Sequence, residues 1–207
     1  MLPFKRASNN KLDRWFFTVN KPILLLVVIL LIIGVVLNLT ASPYVAIRLG
    51  VDSFYFFYRH IFYVVIALIV LIGTSFLSKK QVQKVAAIIF IVSTLAILLV
   101  LLLNVEVKGA KRWIYIFGIS LQPSEFVKVC FPVVLASVWQ QLSIKNKLSG
   151  YLTITVIYII TTGLIIMQPD LGMVILISLV FAAILFLVEV KLVWILLLAI
   201  LGVISLV

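Results

Sequence analysis

Seven long apolar segments separated by short polar stretches form the main pattern of this chain. The first six hold 17 to 20 residues each, close to the ~20 residues that a helix needs to cross a bilayer. Their apolar runs are continuous and do not alternate, which excludes a membrane β-barrel. The pattern therefore predicts an all-α integral membrane protein, a polytopic helical bundle with about seven transmembrane segments. The predicted segments are 22–39, 61–77, 85–103, 123–142, 151–167, 171–188 and 192–207.

Composition supports this fold class, and the distribution of charge predicts the orientation of the chain in the membrane. The chain is 65% hydrophobic and 11% charged, whereas soluble domains are about 45–50% apolar and about 25% charged. Its 17 Lys and Arg against 6 Asp and Glu cluster at segment ends, where they set topology, so we predict no nucleic-acid partner. Residues 1–21 and three loops are basic and fall on one side of the predicted membrane. The loops on the other side carry fewer cations. We therefore predict a cytoplasmic N-terminal segment, 1–21, followed by a transmembrane domain, 22–207.

One apolar segment carries charge inside it. Glu125 and Lys128 lie near the start of the fourth segment, just after Pro123, which suits the first turn of a helix. Three residues apart, they share one helix face and are able to pair. The pair either fixes the segment or lines a polar cavity open to the outer face, and intramembrane charge favours a functional role.

A Gln-Pro pair followed by an acid occurs twice, at 122–125 and at 168–170. Both copies are predicted at a helix start on the outer face, with Ser124 beside the first proline. Asp170 either caps the sixth segment or shares a site with Lys128, and it is also a candidate ligand for a divalent cation. Gln122 and Gln168 are candidate lining residues of the same site.

Cations and a tryptophan precede the fourth segment. Lys111, Arg112 and Trp113 either anchor the chain at the membrane interface or bind a pyrophosphate, for which Arg offers a planar fork and Lys a point charge. The sequence shows no metal-ligand cluster, Walker loop or dinucleotide fingerprint, so no cofactor is predicted with certainty. Carboxylates and cations at a membrane surface favour a lipid-linked, phosphate-bearing substrate.

Three stretches together resemble the SEDS family (shape, elongation, division and sporulation). They are Lys-Gly-Ala-Lys-Arg-Trp-Ile at 108–114, Ser-Leu-Gln-Pro-Ser-Glu-Phe-Val-Lys at 120–128 and Gln-Pro-Asp-Leu-Gly at 168–172. The stretch 41–60 is more similar to the division branch of the family than to the elongation branch. The resemblance follows the whole chain in order.

The resemblance implies a ten-span glycosyltransferase that polymerises lipid II, an undecaprenyl-pyrophosphate-linked disaccharide-pentapeptide, during septal cell-wall synthesis. It implies a bacterial inner-membrane location at the division septum. The implied partners are a class B penicillin-binding transpeptidase and other division proteins. The family's functional Glu and Lys fall on Glu125 and Lys128, and its Gln-Pro-Asp acid falls on Asp170.

The family's proposed catalytic aspartate lies in a later outer loop, which is expected beyond Val207. The seventh apolar run reaches that residue without a polar stop, so we expect the chain to be a fragment or the product of a truncated reading frame. Two other functions remain open from the residues. One is a lipid II flippase or transporter, and the other is a non-catalytic division scaffold.

Overall fold

A computed structural model describes residues 11–103, 112–116 and 119–190 of the chain. The chain divides into two compact units, Met1–Ser78 and Lys79–Val207, which are described separately. The first unit contains α1 (Lys11–Thr18), α2 (Lys21–Arg48) and α3 (Tyr55–Ser75). The second contains α4 (Lys79–Leu103), β1 (Ile114–Ile116), β2 (Ile119–Leu121), α5 (Pro123–Leu142), α6 (Lys147–Ile166) and α7 (Leu171–Leu187).

In the first unit, the short helix α1 is fastened to the end of α3. The Trp15 ring stacks on Phe76 with ring centroids 5.2 Å apart. Its indole N–H donates to Ser75 Oγ at 2.6 Å. An amphipathic ring with a satisfied N–H of this kind is typical of a membrane–water interface. Helix α2 begins after Asn20, whose Oδ1 accepts from the Ile23 amide at 3.2 Å.

The predicted loop over 40–60 is wrong at both ends. Helix α2 continues through Pro43 to Arg48, and α3 already begins at Tyr55. A proline inside a transmembrane helix is tolerated when packing holds the surrounding turns, and Ala46 is fully buried here, at 0% exposed. The connection is only 49–54, with Gly50 at φ 69°, a left-handed conformation that glycine adopts without penalty.

A short polar seam lies within this unit. Asn38 Oδ1, Ser42 Oγ and His60 Nε2 are buried and have no hydrogen-bond partner among the described residues. Asn38 and Ser42 are four apart on α2, which packs against α3, the helix that carries His60. Gly34, one turn before Asn38, lies beside the His60 ring, since a Cβ added there would be 3.7 Å from His60 Nε2, an ordinary contact distance. Small and polar residues are common where two membrane helices pack together.

Helix α5 is the centre of the second unit and packs against α4, α6 and α7. Its buried side chains recur at three- and four-residue intervals, as expected for one face of a helix. They form one apolar core with residues of the other three helices. The core's largest fully buried side chains are Phe131, Ile97, Leu135, Ile154, Ile165 and Ile177.

The remaining predicted segments agree with helices to within a few residues. Helix α5 begins at Pro123 and ends at Leu142, as predicted, whereas α4 and α6 begin earlier because their basic first turns are helical too. Among the described residues, four helices are long and apolar enough to cross a membrane: α2, α3, α4 and α6. The chain is therefore a multi-pass helical membrane protein. The segment 192–207 lies outside the described residues, so the number seven stays a prediction.

The antiparallel hairpin β1–β2 was not predicted. Its register pairs Ile114 with Leu121 and Ile116 with Ile119. A run of β-branched and aromatic residues interrupted by Gly118 is the sequence signal that would have indicated it. The hairpin lies directly before α5, so we call this end of the second unit, with the start of α7, the hairpin end. The opposite end, where α4 starts at Lys79 and α6 at Lys147, is the basic end.

Close contact at the basic end depends on one glycine. The Trp139 and Tyr151 rings lie 4.5 Å apart, and a Cβ added at Gly150 would lie 2.9 Å from two Trp139 ring carbons. Real Cβ atoms do not approach ring carbons so closely, and the ring is held between two helices. Helix α6 therefore contacts α5 here through bare backbone.

We predict that Gly150→Ala destabilises the second unit. Overpacking against Trp139 should lower the free energy of unfolding by about 1–3 kcal/mol. Gly163→Ala on the same helix is the matched control, because a Cβ there meets nothing within 4 Å and helix propensity favours alanine by about 1 kcal/mol. Thermal unfolding in detergent measures both. Equal melting temperatures for the two variants would contradict the close contact.

Candidate functional site

Asp170 stands at the turn between α6 and α7 and caps the second of these helices. Its Oδ1 accepts from the Met173 backbone amide at 3.2 Å. Capping, one of the three roles predicted for this residue, is therefore present. The other carboxylate oxygen, Oδ2, is directed to two side chains from a different part of the chain.

The first of these side chains is Arg112, whose guanidinium holds the whole turn. Its Nη1 lies 3.3 Å from Asp170 Oδ2, and its Nε donates to the Gln168 carbonyl at 2.8 Å. Its Nη2 donates to the Pro169 carbonyl. A guanidinium presents its donors in a rigid planar fork, which suits this combination of one carboxylate and two carbonyls. Arg112 therefore fixes the position of three consecutive residues.

The second side chain is Gln122, which precedes α5. Its Nε2 lies 3.4 Å from Asp170 Oδ2 and 3.0 Å from Ser124 Oγ. The hairpin explains why Arg112 and Gln122 reach the same oxygen. Because Ile114 pairs with Leu121, the residues flanking the two strands are brought together at the base of the hairpin.

These contacts are largely removed from solvent. Ser124 and Gln168 are each 1% exposed, and the side chains of Arg112 and Asp170 are 28% and 17% exposed. Partial burial lowers the local dielectric and strengthens an ion pair, provided that its remaining donors and acceptors are satisfied. The Asp170 network, defined here as Arg112, Gln122, Ser124 and Asp170, meets that condition.

Glu125 and Lys128 pair with each other, as their spacing predicted. Lys128 Nζ lies 2.5 Å from Glu125 Oε2, and the two side chains are 30% and 51% exposed. Glu125 is the third residue of α5, where an acid is stabilised by the helix dipole. The pair lies on the exposed side of α5, whereas the neighbouring Val127 is fully buried. A cavity around the pair stays a prediction.

The three residues predicted to anchor the chain at the interface or to bind pyrophosphate, Lys111, Arg112 and Trp113, differ in what the structure shows of them. We call them the rim residues. Trp113 is partly buried just before β1, and Lys111 lies outside the described residues. Arg112 was predicted to bind pyrophosphate or to anchor the chain at the interface. In the structure its three nitrogen groups contact residues 168–170. Sequence reasoning missed this contact because the two partners lie more than fifty residues apart.

The donor set around Asp170 does not fit a divalent cation. Hard cations favour several oxygen ligands and carboxylates free of competing positive charge, whereas Asp170 Oδ2 already contacts the Arg112 guanidinium. In the described ranges, no three His, Cys, Asp or Glu side chains come together to hold a metal ion.

Comparison with known proteins identifies relatives of this chain. The family described as cell cycle protein, comprising FtsW, RodA and SpoVE, matches residues 21–207. A probable peptidoglycan glycosyltransferase FtsW of Caulobacter vibrioides is 28% identical over 193 residues, covering 93% of this chain and 50% of the relative. The protein of the same name from Haemophilus influenzae is 32% identical over 168 residues, covering 80% of this chain and 43% of the relative. The chain thus spans about half the length of the curated relatives that it matches.

Two solved structures share the fold. A peptidoglycan synthase complex, studied for its coordination of polymerisation and crosslinking, matches with a TM-score of 0.58 and 25% identity, covering 84% of this chain and 52% of that one. The rod shape determining protein RodA of Thermus thermophilus matches with a TM-score of 0.59 and 24% identity, covering 83% of this chain and 58% of that one.

We predict that the Arg112–Asp170 contact is energetically coupled. A double-mutant cycle with Arg112→Ala and Asp170→Ala should give a coupling energy of about 1–3 kcal/mol in unfolding experiments, since the pair is partly buried and networked. The matched control is the exposed pair Glu125 and Lys128, for which about 0.2–1 kcal/mol is expected. Equal coupling in the two cycles would show that Asp170 is not held as described.

Proposed function

The chain belongs to the FtsW, RodA and SpoVE family of cell cycle proteins, and we propose that it serves in a peptidoglycan glycosyltransferase that polymerises lipid II during cell division. The observation that carries the proposal is the set of ionisable groups at the hairpin end. Glu125 and Lys128 pair there on α5, and Arg112 and Asp170 pair beside its start. The names of the FtsW relatives support the reaction class and the division role.

The proposed reaction joins two sugars at the expense of a pyrophosphate ester. The 4-hydroxyl oxygen of an acceptor lipid II sugar forms a bond to the anomeric carbon of the growing glycan. The bond from that carbon to undecaprenyl pyrophosphate breaks, and the pyrophosphate leaves with the electron pair. A carboxylate base takes the hydroxyl proton. The resemblance to the family implies that this base is the aspartate of the family's later outer loop.

Lys128 is the group best suited to the leaving pyrophosphate. An ammonium carries three N–H donors, and in the described residues Lys128 bonds only to Glu125. Two donors are therefore available for phosphate oxygens, while Glu125 orients the ammonium. Positive charge positioned where negative charge develops lowers the barrier to such a displacement.

The Asp170 network is proposed to position this site rather than to react. The Arg112 guanidinium already contacts residues 168–170, in the turn before α7. Few of its N–H donors are therefore available to bind pyrophosphate. Ser124, another member of the network, directly precedes Glu125, and its hydroxyl accepts a hydrogen bond from Gln122 Nε2. The network thus holds the first turn of α5, from which Glu125 and Lys128 project. Lys111 and Trp113 stay proposed rim contacts for the lipid headgroup.

The partner and location are proposals of the same kind. The structural match to a peptidoglycan synthase complex supports work beside a transpeptidase of the class B penicillin-binding type. Multi-pass helices support an integral membrane location, which we propose to be the bacterial inner membrane at the septum. The cation distribution supports a hairpin end on the outer face, where lipid II polymerisation takes place.

We predict that Lys128→Ala abolishes polymerisation in a full-length protein that contains this segment. Removing one preorganised electrostatic contact typically costs about 100- to 1000-fold in rate, and Glu125→Ala should act in the same direction. The assay follows glycan chains formed from purified lipid II in detergent by gel electrophoresis. Lys145→Ala, an exposed cation at the basic end, is the matched control and should polymerise normally.

Two outcomes of this assay would contradict the proposal. Wild-type rates for Lys128→Ala would remove the role given to the pair. A complete lack of polymer from the unmodified full-length protein, together with lipid II transfer between leaflets in vesicles, would favour the flippase instead. Detergent contains no second leaflet, so polymer formed there cannot result from flipping.

A further inference from the structure

A polar cleft lies at the basic end of the second unit, between the start of α4 and the end of α5. Its volume is about 500 Å³. Because α5 has 20 residues and rises about 1.5 Å per residue, the cleft and the Asp170 network lie at opposite ends of the same helix. The polar residues that line the cleft are Lys80, Gln83, Lys84, Ser137, Gln140 and Gln141.

The lining is suited to an anion. It holds two ammonium groups and three amides, all hydrogen-bond donors, and no acidic side chain. Lys80 and Lys84 are four residues apart, so they lie on one helix face and repel each other slightly. Neither lysine forms an ion pair within the part of the chain that the structure describes. The start of α4 adds the positive end of its helix dipole on the same side.

The surroundings indicate a ligand with an apolar part. Ala87 and Ile144 complete the cleft wall. From Lys84 a stripe of exposed apolar side chains continues along α4 at helical spacing, with Ile88 53%, Ile91 57% and Leu95 58% exposed. A free phosphate would use the lysines alone. A phospholipid would place its headgroup on the lysines and an acyl chain along the stripe.

We propose that this cleft binds the phosphate headgroup of an anionic phospholipid. Lys80 and Lys84 contact the phosphate oxygens, Gln83, Gln140 and Gln141 donate to headgroup oxygens, and an acyl chain lies on Ile88 and Ile91. The positive-inside distribution predicts that this end faces the cytoplasmic leaflet, where anionic lipids attract clustered cations. The proposed ligand differs from lipid II in leaflet and in place, so this proposal does not depend on the glycosyltransferase.

The test is lipid retention by the purified full chain, measured by native mass spectrometry from mixed micelles. Phosphatidylglycerol should be retained over phosphatidylcholine. Lys80→Gln with Lys84→Gln should weaken phosphatidylglycerol binding by roughly 10- to 30-fold, given the usual attraction of an anionic lipid for each cation. Lys145→Gln with Lys147→Gln removes the same charge at the same end, outside the cleft, and should have little effect.

Further outcomes keep the proposal falsifiable. Lys80→Arg with Lys84→Arg should retain the lipid, which separates lost charge from lost folding. Equal loss in the two glutamine double variants would reduce the cleft to general surface charge and overturn the proposal. Competition by millimolar inorganic phosphate as effective as that by the lipid would indicate a free-phosphate site instead. Equal retention of phosphatidylcholine would also overturn it.

Discussion

The Asp170 carboxylate is the contact on which the hairpin end depends. One oxygen caps α7, and the other contacts Arg112 and Gln122, which flank the two strands of the hairpin. Three segments distant in sequence therefore meet at one side chain. Without it, two partly buried polar groups would lose their partner, which costs more free energy than the contact itself contributes. This explains why a polar cluster is retained at the edge of an apolar bundle.

Helix α5 connects the Asp170 network to the proposed reactive groups, because Glu125 and Lys128 lie in its first turns. Its core face, including Val127 and Phe131, is fully buried between three other helices, so packing fixes the position of the helix. The opposite face carries Glu125 and Lys128 within its first two turns. Charged groups positioned by a rigid, packed helix need little reorganisation when they meet a ligand. The same helix places a polar cleft at its other end, so one element bears both proposed ligand sites.

Sequence patterns predicted what depends on local physics. Continuous apolar runs gave the helices, and Pro123 with Glu125 gave the start of α5 correctly. The 40–60 loop was wrong because a proline marks a helix end only when neighbouring packing does not compensate, and Ala46 is packed. The hairpin was missed because its strands have three residues each. Periodicity is weak at that length.

The contacts of Arg112 with residues 168–170 could not be predicted from the sequence for a different reason. A single sequence shows that Arg112 and Asp170 are charged, but not that a hairpin brings two residues so far apart in the chain into contact. The Glu125–Lys128 pair was predicted because both lie on one helix, where spacing fixes geometry. The cleft at the basic end was missed because its lysines read as topology signals, and only the packing of α4 on α5 encloses them.

Photocrosslinking of lipid II tests the central claim most directly. A full-length protein containing this segment would be irradiated in bilayers with excess phosphatidylglycerol and with lipid II that carries a photoreactive group on its sugar, and labelled peptides would be mapped. Labelling is expected around residues 112–128, near Glu125 and Lys128, and none is expected at the basic end. Labelling at the basic end, or equally at both ends as expected for a carrier that passes lipid across the bilayer, would contradict it.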